Sequence, residues 1–258
     1  MMRKLYLIII LSTFNIHSQS ILTALNFGKT NIFYSDKIVK QTTEENTFYN
    51  SKNIEKTKNI IYFNNHNKVT LELRFDENDN LKQRLTRIYD STGTRSLGRK
   101  IENWHPLLGH FSETAIHQYD SNGFLNNITE KDNNQNIISQ TIIINNEKGY
   151  PIELSNFNRN ESQGKETADY NYDKNEAYIK YFNKNGELIN SETSKIEFKN
   201  GKPGDTLSQY GDVIKSDKYE MEIKYDKYGN WVKKIYSTIS NGQLQKKSET
   251  IRKIIYSK

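Results

Sequence analysis

Residues 219–231 read Tyr-Glu-Met-Glu-Ile-Lys-Tyr-Asp-Lys-Tyr-Gly-Asn-Trp. In an extended chain Tyr219, Met221, Ile223 and Tyr225 fall on one face, and Glu220, Glu222 and Lys224 on the other. That alternation predicts a strand with one dry and one wet face. The strand closes on Tyr225-Asp226, where an aspartate can accept hydrogen bonds from its own turn. Gly229 supplies the positive φ that a hairpin turn or its bulge requires, and Trp231 starts the next strand.

The same unit recurs from about residue 69 onward. Clear copies are Phe75-Asp76-Glu77-Asn78-Asp79-Asn80-Leu81, Tyr89-Asp90-Ser91-Thr92-Gly93, Tyr119-Asp120-Ser121-Asn122-Gly123-Phe124 and Phe182-Asn183-Lys184-Asn185-Gly186-Glu187-Leu188. Weaker copies stand at Asn146–Gly149, Tyr172–Asn175, Phe198–Gly201 and Asn241-Gly242. Leu71, Leu73 and Phe75 alternate with polar neighbours, as do Ile196 and Phe198. Turn signals every 10 to 15 residues describe a meander of hairpins.

These Tyr-Asp-x-x-Gly units resemble the YD repeats of Rhs-type bacterial surface and secreted proteins, and are similar to MORN-like hairpin repeats of exported proteins. The resemblance implies a long antiparallel sheet of repeated hairpins over residues 69–258. The expected fold class is therefore all-β, an antiparallel meander of β-hairpins forming a curved open sheet or partial barrel. Residues 21–68 lack the repeat and are expected to cap the array, with strands near Ile32–Tyr34 and Ile60–Phe63. Residues 94–117 break the rhythm and read as an insertion.

Residues 1–20 carry Arg3-Lys4, an apolar run from Leu5 to Phe14 and the small-x-small ending Ser18-Gln19-Ser20. That is the layout of a secretory signal peptide, and the run is too short to span a bilayer as a helix. The chain is expected to be exported, periplasmic or secreted, with cleavage near Ser18 to Ser20 and no transmembrane segment. It has 258 residues and no cysteine, which excludes disulfides, thiol catalysis and thiolate metal sites. Only 34% of residues are hydrophobic while 12% are aromatic, so a folded chain with a thin core is expected.

The formal net charge is +6, concentrated at the end: from Lys227 to Lys258 eight cations stand against Glu249 alone. Such strands could meet an anionic surface, or could guard an exposed sheet edge with lysine.

Three of the five histidines and one of the two tryptophans lie in the apparent insertion, giving Trp104, His105, His110, Glu113 and His117 as candidate ligand-binding residues. On a helix His110, Glu113 and His117 would share a face, although their spacing matches no zinc signature. The competing reading is a plug in which Trp104, Leu107, Leu108 and Phe111 close one end of the sheet. The acidic turns at Asp76 and Asp132 begin like calcium loops, but have Leu81 or Ile137 where glycine is needed and Arg87 or Ile143 where glutamate is needed. No cofactor or metal is called for. There is no Gly-x-Ser-x-Gly elbow, phosphate-cradling loop or His-Glu-x-x-His pair.

Most polar residues belong to turn chemistry, which favours a non-enzymatic binding or structural protein with a glycan or protein partner at the cell surface. The alternatives are an exported hydrolase with its site at residues 104–117, and an immunity-like partner protein suggested by the MORN-like resemblance.

Overall fold

The expected alternation and turn chemistry organise nearly the whole chain. The structure is a computed structural model that describes residues 20–25, 27, 33, 36–50, 53–196, 205–240 and 242–257. The leader expected over residues 1–20 lies outside these but for Ser20, as do the weak turn copy Phe198–Gly201, Asn241 of the copy Asn241-Gly242, and Ile32 and Tyr34 of the expected cap strand.

A short helix, α1 (Ile21–Leu25), precedes the sheet. The first half of the sheet comprises β1 (Val39–Tyr49), β2 (Ile54–Phe63), β3 (Val69–Phe75), β4 (Leu81–Tyr89), β5 (Ser96–His105), β6 (Gly109–Tyr119), β7 (Leu125–Asp132) and β8 (Ile137–Asn145). The second half comprises β9 (Pro151–Asn158), β10 (Glu161–Asn171), β11 (Glu176–Phe182), β12 (Leu188–Lys195) and the short β13 (Thr206–Leu207) and β14 (Val213–Lys215). It ends with β15 (Tyr219–Tyr225), β16 (Trp231–Ser240) and β17 (Gln243–Tyr256).

All seventeen strands belong to one sheet. Each strand pairs antiparallel with its sequence neighbour, from β1 through β12 and from β13 through β17. β17 returns to pair with β1, Val39 opposite Tyr256 and Phe48 opposite Ser248. The first and last of these strands thus meet inside the sheet. No register joins β12 to β13 among the described residues, and the curved sheet stays open there, in agreement with the expected all-β open meander. Through the continuous antiparallel ladders β12 and β13 run the same way, because the number of described strands is odd.

This order corrects two expectations. β1 and β2 are not end caps: each has a ladder on both sides, and β17, with its lysines, is not an edge strand. Meeting the other end of the chain satisfies backbone groups that an end strand would leave bare. Nor are residues 94–117 an insertion. β5 and β6 form an unbroken hairpin from Gly98 opposite Ile116 to His105 opposite Gly109. Its turn lacks the Asp-x-x-Gly signature, which concealed the continuing rhythm.

The repeated turn has one geometry. In the Asp120 copy the Asp120 N–H donates to the Phe124 carbonyl at 2.9 Å and the Gly123 N–H to the Asp120 carbonyl at 3.0 Å. Asp120 Oδ1 accepts from the N–H groups of Asn122 and Phe124, both at 2.9 Å. The fourth residue is left-handed, a tight turn followed by a one-residue bulge. Asn64, Asp76, Asp90, Asp132, Asn146, Asn183 and Asp226 take the same side-chain role.

Because strands alternate in direction, these turns fall on two rims. Those starting at Asn64, Asp90, Asp120, Asn146, Ser208 and Asp226 share one rim, where tyrosines reach across the sheet. Tyr89, Tyr119 and Tyr170 donate their hydroxyls to the carbonyls of Val69, Ser96 and Pro151 at 2.9, 2.6 and 2.6 Å. Turns starting at Asp76, Asp132 and Asn183 lie on the opposite rim.

The apolar core is small and lies on the inner face. Ile143, Leu154, Ala168, Ala177, Ile179 and Ile196 pack under Ile21 and Leu25 of α1. Phe27 then meets His117 on β6 and Phe33 meets Phe63 on β2, each with ring centroids 5.0 Å apart. Phe27 and Phe33 therefore line the inside of the sheet, adding apolar surface that the alternating strands lack.

Candidate functional site

Two consecutive turns of the tyrosine rim carry an aromatic directly after the turn glycine: Gly123-Phe124 and Gly149-Tyr150. Positive φ at the glycine turns the next residue inward. With Tyr119, Leu125 and Ile143, these aromatics wall a cavity of about 390 Å³ whose inner boundary is Ala24, Leu25 and Phe27. Asn145 and Lys148 supply its polar groups. The Asn145 amide donates to the Leu125 carbonyl at 2.8 Å, which fixes the side chain. Lys148 Nζ sits 3.9 Å from the centre of the Tyr172 ring. Tyr150, which lines the cavity, forms a contiguous aromatic group with Tyr170 and Tyr172, the last two stacked at 6.0 Å. A cavity of this size, with aromatic side chains beside polar groups and a surface shared between polar and apolar atoms, has the dimensions of a small-ligand site.

A polar cluster occupies the inner face beyond Phe27. Cross-strand register places Arg87 beside Arg99, Arg99 beside Ala115, Ala115 beside Glu130 and Glu130 beside Ser139. Glu130 accepts from Arg99 Nη2 at 2.9 Å and from Ser139 Oγ at 2.7 Å. Burial pushes the Glu113 carboxyl above its ordinary range, and the neighbouring Glu130 adds to this while Arg99 opposes it. His117 is buried under Phe27, and its Nδ1 lies 3.1 Å from Ser96 Oγ. Burial lowers its basicity; the bond to the Ser96 carbonyl opposes the shift, and Arg99 and Arg87 reinforce it.

The five residues singled out from sequence do not form one site. Glu113 and His117 alternate onto the inner face and join the polar cluster. Trp104, His105 and His110 lie at the far rim. His105 Nδ1 accepts from the N–H groups of Leu107 and Leu108, both at 3.2 Å, so this histidine does the work of the turn aspartates. His110 packs 5.1 Å from Trp104, and its Nε2 lies 3.6 Å from Glu102. The helical arrangement of His110, Glu113 and His117 is excluded by β6, which puts His110 on the opposite face. The plug is excluded as well: Leu107 is 89% exposed. Among the described residues no group of three metal-ligating side chains is assembled.

Sequence reasoning missed Phe124, Lys148 and Tyr150. The available signal was the pair of Gly-aromatic steps 26 residues apart, one full two-strand repeat on the same rim. Four of the eight cations at the basic end of the chain meet acidic partners within the sheet. Glu249 takes Lys233 and Lys246 at 2.5 Å each, Asp212 takes Lys234 at 3.6 Å, and Glu44 takes Arg252 at 2.6 Å. Arg252 also lies 3.3 Å from the Trp231 ring centre.

No family model matches the chain, and no curated protein matches it. Among solved structures the chain is similar to a porin-like protein from Bacteroides uniformis ATCC 8492, at 12% identity and a TM-score of 0.43, over 85% of this chain and 98% of that one. It is also similar to a porin-like protein from Bacteroides vulgatus ATCC 8482, at 10% identity and a TM-score of 0.30, over 86% of this chain and 99% of that one.

Proposed function

We propose that the protein is an exported, non-enzymatic binding protein whose rim cavity takes a sugar unit of a cell-surface glycan. The observation that carries this reading is the cavity itself, an aromatic pocket with Lys148 and Asn145 at its polar side. Sugar rings present an apolar face to aromatic side chains and hydroxyls to amides and ammonium groups. The outer face supports a water-exposed sheet: Lys165 pairs with Glu153 at 3.0 Å and Lys180 with Asp169 at 3.6 Å on mid-strand positions facing away from the core. Lipid contact there would cost about 2–4 kcal/mol for each lysine near the bilayer midplane. No helix among the described residues is long and apolar enough to cross a membrane.

A glycan array with the exported chain tests the reading. Lys148→Ala and Tyr150→Phe should keep the melting temperature, and Lys148→Ala should weaken the best-bound glycan at least tenfold. Full binding by Lys148→Ala, with loss in the His105, His110 and His117 triple-alanine variant, would move the site to the segment from Trp104 to His117.

One observation favours a second reading, a hydrolase. Glu113, disposed to hold its proton, neighbours Glu130, which is bonded to Arg99; unequal carboxylates are the arrangement an acid–base pair requires. Turnover of chromogenic glycosides that Glu113→Gln abolishes would establish it.

A further inference from the structure

Ile21 is fully buried, and its backbone nitrogen donates to Glu166 Oε2 at 2.8 Å. Glu166 is an inner-face residue of β10, opposite Tyr181 of β11. Tyr181 in turn bonds Glu192 of β12 at 2.5 Å. Glu166 thus faces the first residue of α1, while Glu192, on the exposed β12, lies near enough to act on the Glu166 carboxyl. Neither carboxylate has a cationic partner among the described residues. Lys165, Lys180 and Lys195, the nearest lysines on these strands, point to the outer face, where they pair with Glu153, Asp169 and Glu176. Burial and the nearby Glu192 raise the Glu166 carboxyl, as expected for a negative site with only an amide to face.

The small-x-small ending Ser18-Gln19-Ser20 places the expected leader cleavage at the bond before this nitrogen. We propose that the leader is removed between Ser20 and Ile21 and that the new α-ammonium of Ile21 forms an ion pair with Glu166 inside the sheet. The inference rests on the export reading. Hydrolysis by the leader peptidase of the export machinery consumes one water. Ser20 departs with the carboxylate, and Ile21 keeps the nitrogen, which takes up a proton at neutral pH. One amide proton at Glu166 is thereby replaced by a cation with three donors, which meets a carboxylate that has no cationic partner among the described residues. Ser20 at present caps α1, its Oγ accepting from the Thr23 N–H at 3.1 Å and its carbonyl from the Ala24 N–H at 2.8 Å. Cleavage removes that cap, so cap and ion pair predict opposite effects on stability.

The test compares three forms: the exported protein, a chain produced with Ile21 as its first residue, and the same chain with Gln19-Ser20 retained. The exported protein should give an intact mass beginning at Ile21. The Ile21 chain should melt several degrees above the extended chain at pH 7. An α-amine paired with a carboxylate has its pKa raised above the ordinary value of about 8. Its stabilisation is therefore complete below that value and lost as pH rises through the folded pKa, so the advantage should vanish by about pH 10. Glu166→Gln should abolish it at every pH. An extended chain equal to or more stable than the Ile21 chain would overturn the ion pair, as would an advantage that survives Glu166→Gln. Cleavage at another bond would overturn it too while leaving export intact, whereas an exported protein still carrying its leader would remove the export reading.

Discussion

His117 shows how one residue can be legible in type and obscure in role. A histidine among alternating polar and apolar neighbours could have lain on either face. β6 turns it inward, where Phe27 covers it and Ser96 holds Nδ1. Since burial depresses its pKa, the folded chain favours the neutral ring. Its stability contribution is complete above the unfolded pKa of about 6.5 and lost as pH falls below that value. Glu113 and Glu166 act in the other direction, because their raised pKa values let the folded state take up protons first on acidification. Between pH 7 and 5 His117→Gln should therefore remove a downward component from the stability curve measured by urea unfolding. Identical pH slopes in both proteins would mean that His117 is not buried as neutral imidazole.

At the scale of turns and strands, the chemistry of each hairpin was readable because it is local: an aspartate bonds its own turn, and one residue must be left-handed. What a single turn does not disclose is its neighbours. A Cβ on Gly149 would stand 2.5 Å from Phe124 Cε1, and on Gly229 2.6 Å from Tyr210 Cε1, while at Gly186 on the opposite rim nothing lies within 4 Å. That rim tolerates Asp79 and Gln135 at the same left-handed position. Glycine there answers only to φ, whereas at Gly149 and Gly229 the adjacent turn also excludes a side chain. Gly186→Ala should cost about 1 kcal/mol and Gly229→Ala about 2–3 kcal/mol, as overpacking adds to strain; paired denaturant titrations measure both. Equal losses would show that Tyr210 moves aside freely. The β5–β6 hairpin was illegible for a related reason. His105 replaces the aspartate and no repeat signature marks the turn, so two ordinary strands read as an interruption. Phe124 and Tyr150 read as strand starts, because the cavity they wall exists only once two turns and Phe27 are assembled.

For the molecule as a whole, strand number and type were legible, and strand order at the ends was not. Alternation fixes faces; it says nothing of which distant strand completes a ladder, and β17 with β1 is a pairing across almost the entire chain. The weakest place is set by that closure. β12 is exposed along most of its length, and β13 has two residues. Hydrogen exchange followed by mass spectrometry should show amides of 188–195 and 206–215 exchanging well before those of 39–48. Equal protection would mean that β12 and β13 are joined in solution.

That opening has a consequence for how such a chain can change in length. A sheet that lengthens by copying a hairpin gains two strands at a time, and loses two when a copy is deleted. The described strands are odd in number, and that parity survives every such event. As long as the described strands stay odd in number, the strands flanking the gap point the same way, and a side-by-side match between them would be parallel. Duplication can widen the circle or shrink it, and the rim cavity can be rebuilt from whichever two turns become neighbours. Hairpin copying of this kind changes the diameter of the sheet and leaves the relative direction of the flanking strands as it was.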